Sequence, residues 1–387
     1  MKNVVVLGST GSIGRATLEI IFQHPDRFSL LGISGNKQKD LMLKQIQKFQ
    51  PSFAVFTDKS ARGPKNIGKT KCLYDQEGLE FLATNPDTDI VVVAISGLAG
   101  LTPTFKALDK GKTVALATKE LVVCAGHLLQ GKKGKVLPVD SEHNAIFQML
   151  EKQHMSEVKG ITLTASGGPF LSYKKSLSDV TVEQVLDHPI WKMGKRITVD
   201  SATMMNKGFE IIEAFHLFNI RKENINVVLH PQAIVHGFVV FCDGFIKAIF
   251  SKPDMKYSIN FCLNYPERIS AGLDELDISS VRALTFEAIE TGRFPCFDLA
   301  RHALKMGGSY LTVLNAADEE AVKFFLNGLI RFDSIPTIVE KSLENHKAVG
   351  LNTIEDVLQL DRQVRTEVKR IAVSCGLIKS DEVLKEE

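Results

Sequence analysis

From Met1 to about Leu150, apolar positions fall in short β-branched runs separated by stretches with helical spacing. Val4–Leu7, Leu30–Ser34, Ala54–Phe56, Ile90–Ile95, Val114–Ala117 and Val136–Val139 read as strands. The run IVVVAI is apolar at every position, as a strand covered on both faces of a parallel sheet must be. Strands alternating with helices in this way predict an α/β domain with a doubly wound parallel sheet over residues 1–150.

The pattern then changes. Residues 151–270 carry longer strands, and Val239–Cys242 and Ile246–Phe250 flank Asp243-Gly244, a hairpin signal. This region reads as a central α+β domain with a mostly antiparallel sheet. Residues 271–292 read as a loop-rich linker. From Arg293 to residue 387 the signals are helical: Asp298 is placed to cap a helix ending at Gly307, and Ser334 with Pro336 starts another. Thr353 with Asp356 forms a capping box for a last helix running to Gly376. A C-terminal helical bundle is expected.

Bulk properties narrow the class. At 387 residues the chain exceeds one hydrophobic core, and its 44% apolar and 24% charged content is that of a globular protein. A net charge of +2 without a basic, aromatic-laced stripe argues against nucleic acid as a partner. Cys72, Cys124, Cys242, Cys262, Cys296 and Cys375 show no paired or metal-finger spacing, which suits a reduced, cytoplasmic chain. The opening apolar run is too short for a signal peptide, and no stretch is long enough to span a bilayer, so no membrane role is expected.

GSTGSIG sets Gly8, Gly11 and Gly14 between the first strand and the first helix, where backbone approaches a pyrophosphate at a helix N-terminus. This is the Rossmann-type arrangement. At the end of the second strand stand Ser34, Gly35, Asn36 and Lys37, with no carboxylate before Asp40. A lysine and an amide there favour a 2′-phosphate, hence NADPH over NADH. An ordinary surface lysine is the competing reading of Lys37. Further strand ends supply Ser96-Gly97, Thr118-Lys119-Glu120 and Asp140-Ser141-Glu142.

Asp140 and Glu142, two carboxylates one residue apart at a strand end, suit a hard divalent cation. Helix capping by Asp140 or Ser141 is the alternative. HPIWKMGKRITVDSATMMNKGFEIIEAF is the densest segment and holds Trp191, the single tryptophan, which reads either as core or as part of a site. Asn206, Lys207 and Glu210 share one helical turn, with Ser201 just before that helix. Ser166 precedes two glycines in ASGGPF. Together Ser166, Ser201, Asn206 and Lys207 can hold a phosphate monoester, and Glu210 can add a third carboxylate. Lys207 and Glu210 also read as a surface ion pair of small worth. His230 and His236 lack ligand spacing and read as structural.

GSTGSIG, ATKE, VDSEHNAIFQ, TASGGPF, HPIWKMGKRITVDSATMMNKGFEIIEA and LHPQAIVHG resemble the 1-deoxy-D-xylulose 5-phosphate reductoisomerase family, from the first residue into the C-terminal helices. The resemblance implies NADPH, a divalent metal (Mg2+, Mn2+ or Co2+), a phosphosugar substrate and a homodimer. The family's reaction is a retro-aldol and aldol rearrangement followed by hydride transfer, giving 2-C-methyl-D-erythritol 4-phosphate for isoprenoid precursors by the non-mevalonate route. By resemblance, Asp140, Glu142 and Glu210 hold the metal. Ser166, Ser201, Asn206 and Lys207 hold the phosphate. Lys119, Ser141 and His188 contact the substrate or order the site, and Trp191 and Met193 lie in a mobile flap. The cofactor is expected at Gly8, Thr10, Gly11, Ser12, Ile13, Gly35, Asn36, Lys37, Thr118, Glu120 and Gly194. Lys119, His188 and the three acids form the expected catalytic set, with Glu142, Trp191 and Glu210 also touching substrate. One departure stands out: Thr118 replaces the family's common asparagine. Two rivals remain on the residues alone: a simple NADPH-dependent dehydrogenase of a small acid or semialdehyde, and a non-catalytic NADPH sensor.

Overall fold

The computed structural model describes all residues except 172, 174, 175, 189, 192 and 380–387, and for residue 59 the backbone only. The predicted helical region 293–387 is thus described as far as residue 379.

Eight strands form the first sheet: β1 (Lys2–Leu7), β2 (Phe28–Gly35), β3 (Phe53–Phe56), β4 (Asn66–Ile67), β5 (Thr70–Tyr74), β6 (Ile90–Val93), β7 (Thr113–Leu116) and β8 (Lys135–Pro138). Their order is β4-β5-β3-β2-β1-β6-β7-β8, and every pairing is parallel except β4 with β5. The chain reverses its winding between β1 and β6, and that switch point is where open α/β sheets bind ligands. Val4, Val5, Val6 and Leu7 are fully buried, as are Val91, Val92 and Val93, which is why these runs carry no polar side chain. The pair β4 and β5 has no counterpart in the predicted strands. In β5 the exposed Lys71 interrupts the apolar run, as suits the sheet margin.

Two compact units divide the chain, and not in linear order. The first comprises Met1–Leu121, Leu129–Glu151 and Asp254–Leu276; the second comprises Val122–Leu128, Lys152–Pro253 and Asp277–Glu387. Helix Met255–Asn264 therefore belongs to the first unit, although the chain reaches it only after four of the five strands of the second sheet. Its Ile259, Phe261, Cys262 and Leu263 join Ile20, Ile21, Leu137 and Val139 in one core cluster. Fully burying such a side chain contributes roughly 1.5–3 kcal/mol. Asp254 starts this helix by accepting the Lys256 N–H at 2.8 Å, and Lys2 Nζ donates to the Tyr265 carbonyl at 2.9 Å.

In the second unit, β9 (Val158–Ala165), β10 (Ile225–Leu229), β11 (Val235–Phe241), β12 (Ile246–Phe250) and β13 (Glu287–Ala288) run in the order β12-β11-β9-β10-β13. Only β9 with β10 is parallel. The predicted hairpin joins β11 to β12, with Gly244 at φ +92° in its turn. The helical region forms Pro295–Met306, Ser309–Leu326, Ile335–Asn345 and Ile354–Ser374. Thr353 and Asp356 make the expected capping box. Asp298 is not a cap: the helix begins at Pro295, and Asp298 accepts the Gly292 N–H at 2.8 Å from within the first turn. Proline at the helix start supplies the boundary instead. Among the described residues no helix is long and apolar enough to cross a membrane.

Candidate active site

The first unit builds the nucleotide end from its glycines. Gly8 has φ +91°, and a Cβ there would fall inside the Ala94 carbonyl. A Cβ on Gly14 would fall inside the carbonyl of Gly8. Both positions are closed to other residues. Helix Ser12–Gln23 has Gly11 at its N-cap and no side chain capping it, so its first amides are left for an anion. Beside this loop Gly35 is buried, while Asn36 and Lys37 are exposed at the end of β2. Lys37 and Lys39 both face the Asp58 carboxylate. Its pKa is lowered mainly by hydrogen bonds from Ser60, with the two lysines adding to the effect. Lys39 was not singled out by spacing, because it opens a helix and reads as surface.

Thr118 is buried and donates its hydroxyl to the Ile95 carbonyl at 2.7 Å. That hydroxyl can still accept a hydrogen bond but has no second hydrogen to give. Glu120 accepts the Gly97 N–H at 3.4 Å, which joins the end of β7 to the loop after β6.

At the end of β8 the two readings of Asp140 separate. Asp140 stands at the N-cap of helix Ser141–Leu150, but its side chain makes no capping bond. Instead Oδ2 accepts from the buried Lys119 Nζ at 2.8 Å, and Oδ1 lies 3.3 Å from His143 Nδ1. Ser141 Oγ donates to the Glu142 carboxylate. An ammonium at this distance favours ionised Asp140. Asp140 and Glu142 thus present oxygen donors at the sheet's ligand-binding edge, a set that fits a hard divalent cation. His143 was missed in the sequence; its spacing of three from Asp140 at a helix start was the available signal.

The second unit gathers the other predicted residues. Strand β9 is followed by Ser166, Gly167 and Gly168, the glycines at φ +84° and +67°. A Cβ on Gly168 would stand 2.6 Å from the Ser201 carbonyl oxygen, so the loop packs directly on that backbone. Ser201 precedes the Asn206 helix as expected, but not in a loop. It lies within a separate helix, Lys195–Ala202, and Met204 at φ +62° turns the chain into Met205–Phe218. His188 Nδ1 accepts the backbone N–H groups of Ile190 and Trp191 at 3.2 and 3.0 Å. Its Nε2–H therefore donates to Ser201 Oγ at 3.0 Å, which leaves the serine's own hydrogen to give away. Burial lowers the His188 pKa and supports this neutral form. Trp191 and Met193 are half-buried, so neither is a core side chain, and Gly194 is exposed at the N-cap of Lys195–Ala202.

Lys207 and Glu210 are 3% and 1% exposed, so their ion pair is not a surface one. Asn206 Nδ2 donates to Glu210 Oε1 at 2.6 Å and Lys207 Nζ to Oε2. Each oxygen of this buried carboxylate has a donor, and removing either partner of a buried ion pair is costly. His230 is structural, as read: Nε2 accepts the Val235 N–H at 3.1 Å and Nδ1 donates to the Thr285 carbonyl at 2.9 Å. His236 Nε2 lies 2.8 Å from Ser251 Oγ.

Known proteins agree with this layout. Residues 4–126 match the profile described as 1-deoxy-D-xylulose 5-phosphate reductoisomerase, and residues 136–218 and 250–367 match profiles for C-terminal domains of that enzyme. The 1-deoxy-D-xylulose 5-phosphate reductoisomerase of Thermodesulfovibrio yellowstonii is 46% identical, over 96% of this chain and 99% of its own. That of Pelotomaculum thermopropionicum is 45% identical, over 94% and 97%. Among solved structures, a DOX-P reductoisomerase in complex with NADPH, fosmidomycin and magnesium superposes with a TM-score of 0.88 at 36% identity, covering 96% of this chain and 98% of that one. The Zymomonas mobilis enzyme in complex with NADPH gives 0.87 at 38%, covering 95% and 98%. With three profiles in register from end to end, this chain belongs to the 1-deoxy-D-xylulose 5-phosphate reductoisomerase family.

Proposed function

We propose that this chain converts 1-deoxy-D-xylulose 5-phosphate to 2-C-methyl-D-erythritol 4-phosphate, with NADPH and a divalent cation. The observation that carries the reading is Asp140: it stands at a helix start yet caps nothing, and pairs with Lys119 beside Glu142.

Asp140, Glu142 and Glu210 are the residues that would hold the cation. The bound cation supplies a Lewis acid for adjacent carbonyl and hydroxyl oxygens, and NADPH supplies the hydride. The remaining roles fall to the chain's own groups. Lys119 keeps Asp140 ionised and, with three N–H donors, can also polarise a substrate oxygen. Ser201, fixed as a donor by His188, joins Ser166, Asn206 and Lys207 on the substrate phosphate. Lys207 also donates to Glu210. Thr10, Gly11, Ser12 and Ile13 would hold the cofactor's pyrophosphate through their amides, and Gly35, Asn36 and Lys37 its 2′-phosphate. Thr118, Glu120 and Gly194 complete the nicotinamide side. Trp191 and Met193 would cover the bound substrate and keep water from it. The enzyme works as a homodimer in the cytoplasm.

The test is NADPH oxidation with 1-deoxy-D-xylulose 5-phosphate, before and after EDTA, then with magnesium or manganese restored. Oxidation that EDTA abolishes and metal restores supports the assignment. Oxidation indifferent to EDTA removes the metal role, and none at all in NADPH-binding protein rejects the reaction.

A further inference from the structure

Helix Lys39–Phe49 buries one long polar side chain that the reaction does not call upon. Gln45 is 5% exposed, and it meets Ser9, which is fully buried, twice over. Its Oε1 accepts the Ser9 hydroxyl at 2.7 Å, and its Nε2 donates to the Ser9 carbonyl at 2.9 Å. Reversing the amide would lose both bonds, so its orientation is fixed by chemistry. Strand β2 holds the remaining atoms of this stretch: the Ser9 N–H donates to the Ser34 carbonyl at 2.8 Å, and the Gly8 N–H to Ser34 Oγ at 2.9 Å. Ser9 is thus held at every polar atom it has.

The consequence lies one atom further along. In a trans peptide the C=O and the following N–H point in opposite directions. Gln45 draws the Ser9 carbonyl inward, so the Thr10 N–H is turned outward, to the side where the helix Ser12–Gln23 starts uncapped. Gln45 also rides on the helix that begins two residues after Lys37, and Met42 of that helix packs against Gly35. The loop for the pyrophosphate and the turn for the 2′-phosphate are thereby joined by one side chain.

We infer that Gln45 is a positioning residue for the cofactor: by clamping Ser9 it aims the Thr10 amide at the NADPH pyrophosphate and ties that loop to the 2′-phosphate turn. The inference rests on the NADPH reading above and touches neither substrate nor metal.

The experiment measures NADPH dissociation constants by fluorescence titration, substrate KM and melting temperature for the wild type, Gln45→Leu, Gln45→Glu and Ser9→Ala. Gln45→Leu fills the space without either hydrogen bond and should weaken NADPH about tenfold, with substrate KM within about twofold. Gln45→Glu keeps the acceptor but sets a carboxylate against the Ser9 carbonyl, and should be no better. Ser9→Ala removes the hydroxyl, with its contacts to Gln45, the Ser34 carbonyl and Met42, but keeps the clamp on the carbonyl, and should weaken NADPH by about threefold or less. In the double variant Ser9→Ala/Gln45→Leu the loss should match that of Gln45→Leu, because the shared contact is already gone. A merely structural role predicts a lower melting temperature with NADPH affinity unchanged, and that result overturns the inference. If Gln45→Leu fails to fold, Gln45→Glu decides: wild-type NADPH affinity in that variant, which lacks the donor to the Ser9 carbonyl, rejects the clamp. A folded wild type that does not bind NADPH would overturn the parent reading along with it.

Discussion

Gly14 backs onto Gly8 so tightly that a Cβ on Gly14 would also stand 2.6 Å from the Ser9 Cα, closer than real side chains come to backbone. The helix and the loop before it touch through bare backbone. Gly14→Ala should therefore displace the loop rather than a side chain. NADPH KM should rise at least about tenfold, with a lower melting temperature, since loop and helix must part. Steady-state kinetics at saturating phosphosugar checks this, and wild-type NADPH KM would show that the loop can yield.

Lys37 is exposed at the end of β2 and faces the Asp58 carboxylate. Lys37→Glu should raise the KM for NADPH by about tenfold or more and leave that for NADH within about twofold. Equal change for both cofactors would remove the 2′-phosphate contact.

Glu210 accepts hydrogen bonds from Asn206 and Lys207. Glu210→Gln retains the shape but leaves Lys207 facing an amide. Turnover should fall by about a thousandfold or more, while NADPH binding stays within about twofold. Near-normal turnover at saturating magnesium would reject Glu210 as a ligand.

Asp318 gives a stability prediction with a definite sign. It is fully buried on helix Ser309–Leu326, and both its oxygens lack a hydrogen-bond donor at bonding distance. Arg196 Nη2 is 3.8 Å away, and Asp200, Glu319, Cys296 and Asn315 face the same cluster. Burial first, and then the Asp200 charge, push its pKa well above the carboxylate range, against the pull of Arg196. The folded chain then binds a proton that the unfolded chain has lost, so this group's contribution falls as pH rises above the ordinary carboxylate pKa toward the folded one. Asp318→Asn stays neutral and supplies a donor. It should raise the melting temperature by about 2–4 °C at pH 8 and by less at pH 5. A loss of stability at pH 8 would show that the ionised form is the native one.

Local chemistry was legible where it decides local structure. The all-apolar run at β6, the Asp243-Gly244 turn and the Thr353 capping box each announce themselves within a few residues. The strand β5 was not legible, because Lys71 on its outer face breaks the pattern that marks buried strands. That Ser201 sits in a helix of its own was not legible, since only the left-handed Met204 divides two helices that look continuous in the sequence. For Lys207 and Glu210 spacing gave the pair but not its burial, which depends on what packs over the helix. His143 was passed over because a histidine one turn into a helix resembles many others until its carboxylate partner is known.

Helix Met255–Asn264 sets an order of synthesis. A chain made from its N-terminus completes β9 through β12 before it makes Ile259, Phe261 and Leu263, yet those side chains close the core beneath β8. Until they leave the ribosome, the nucleotide-binding sheet exposes to water the surface they will cover. The two units therefore mature together, and a fragment ending after the last parallel strand is left with an open, adhesive flank.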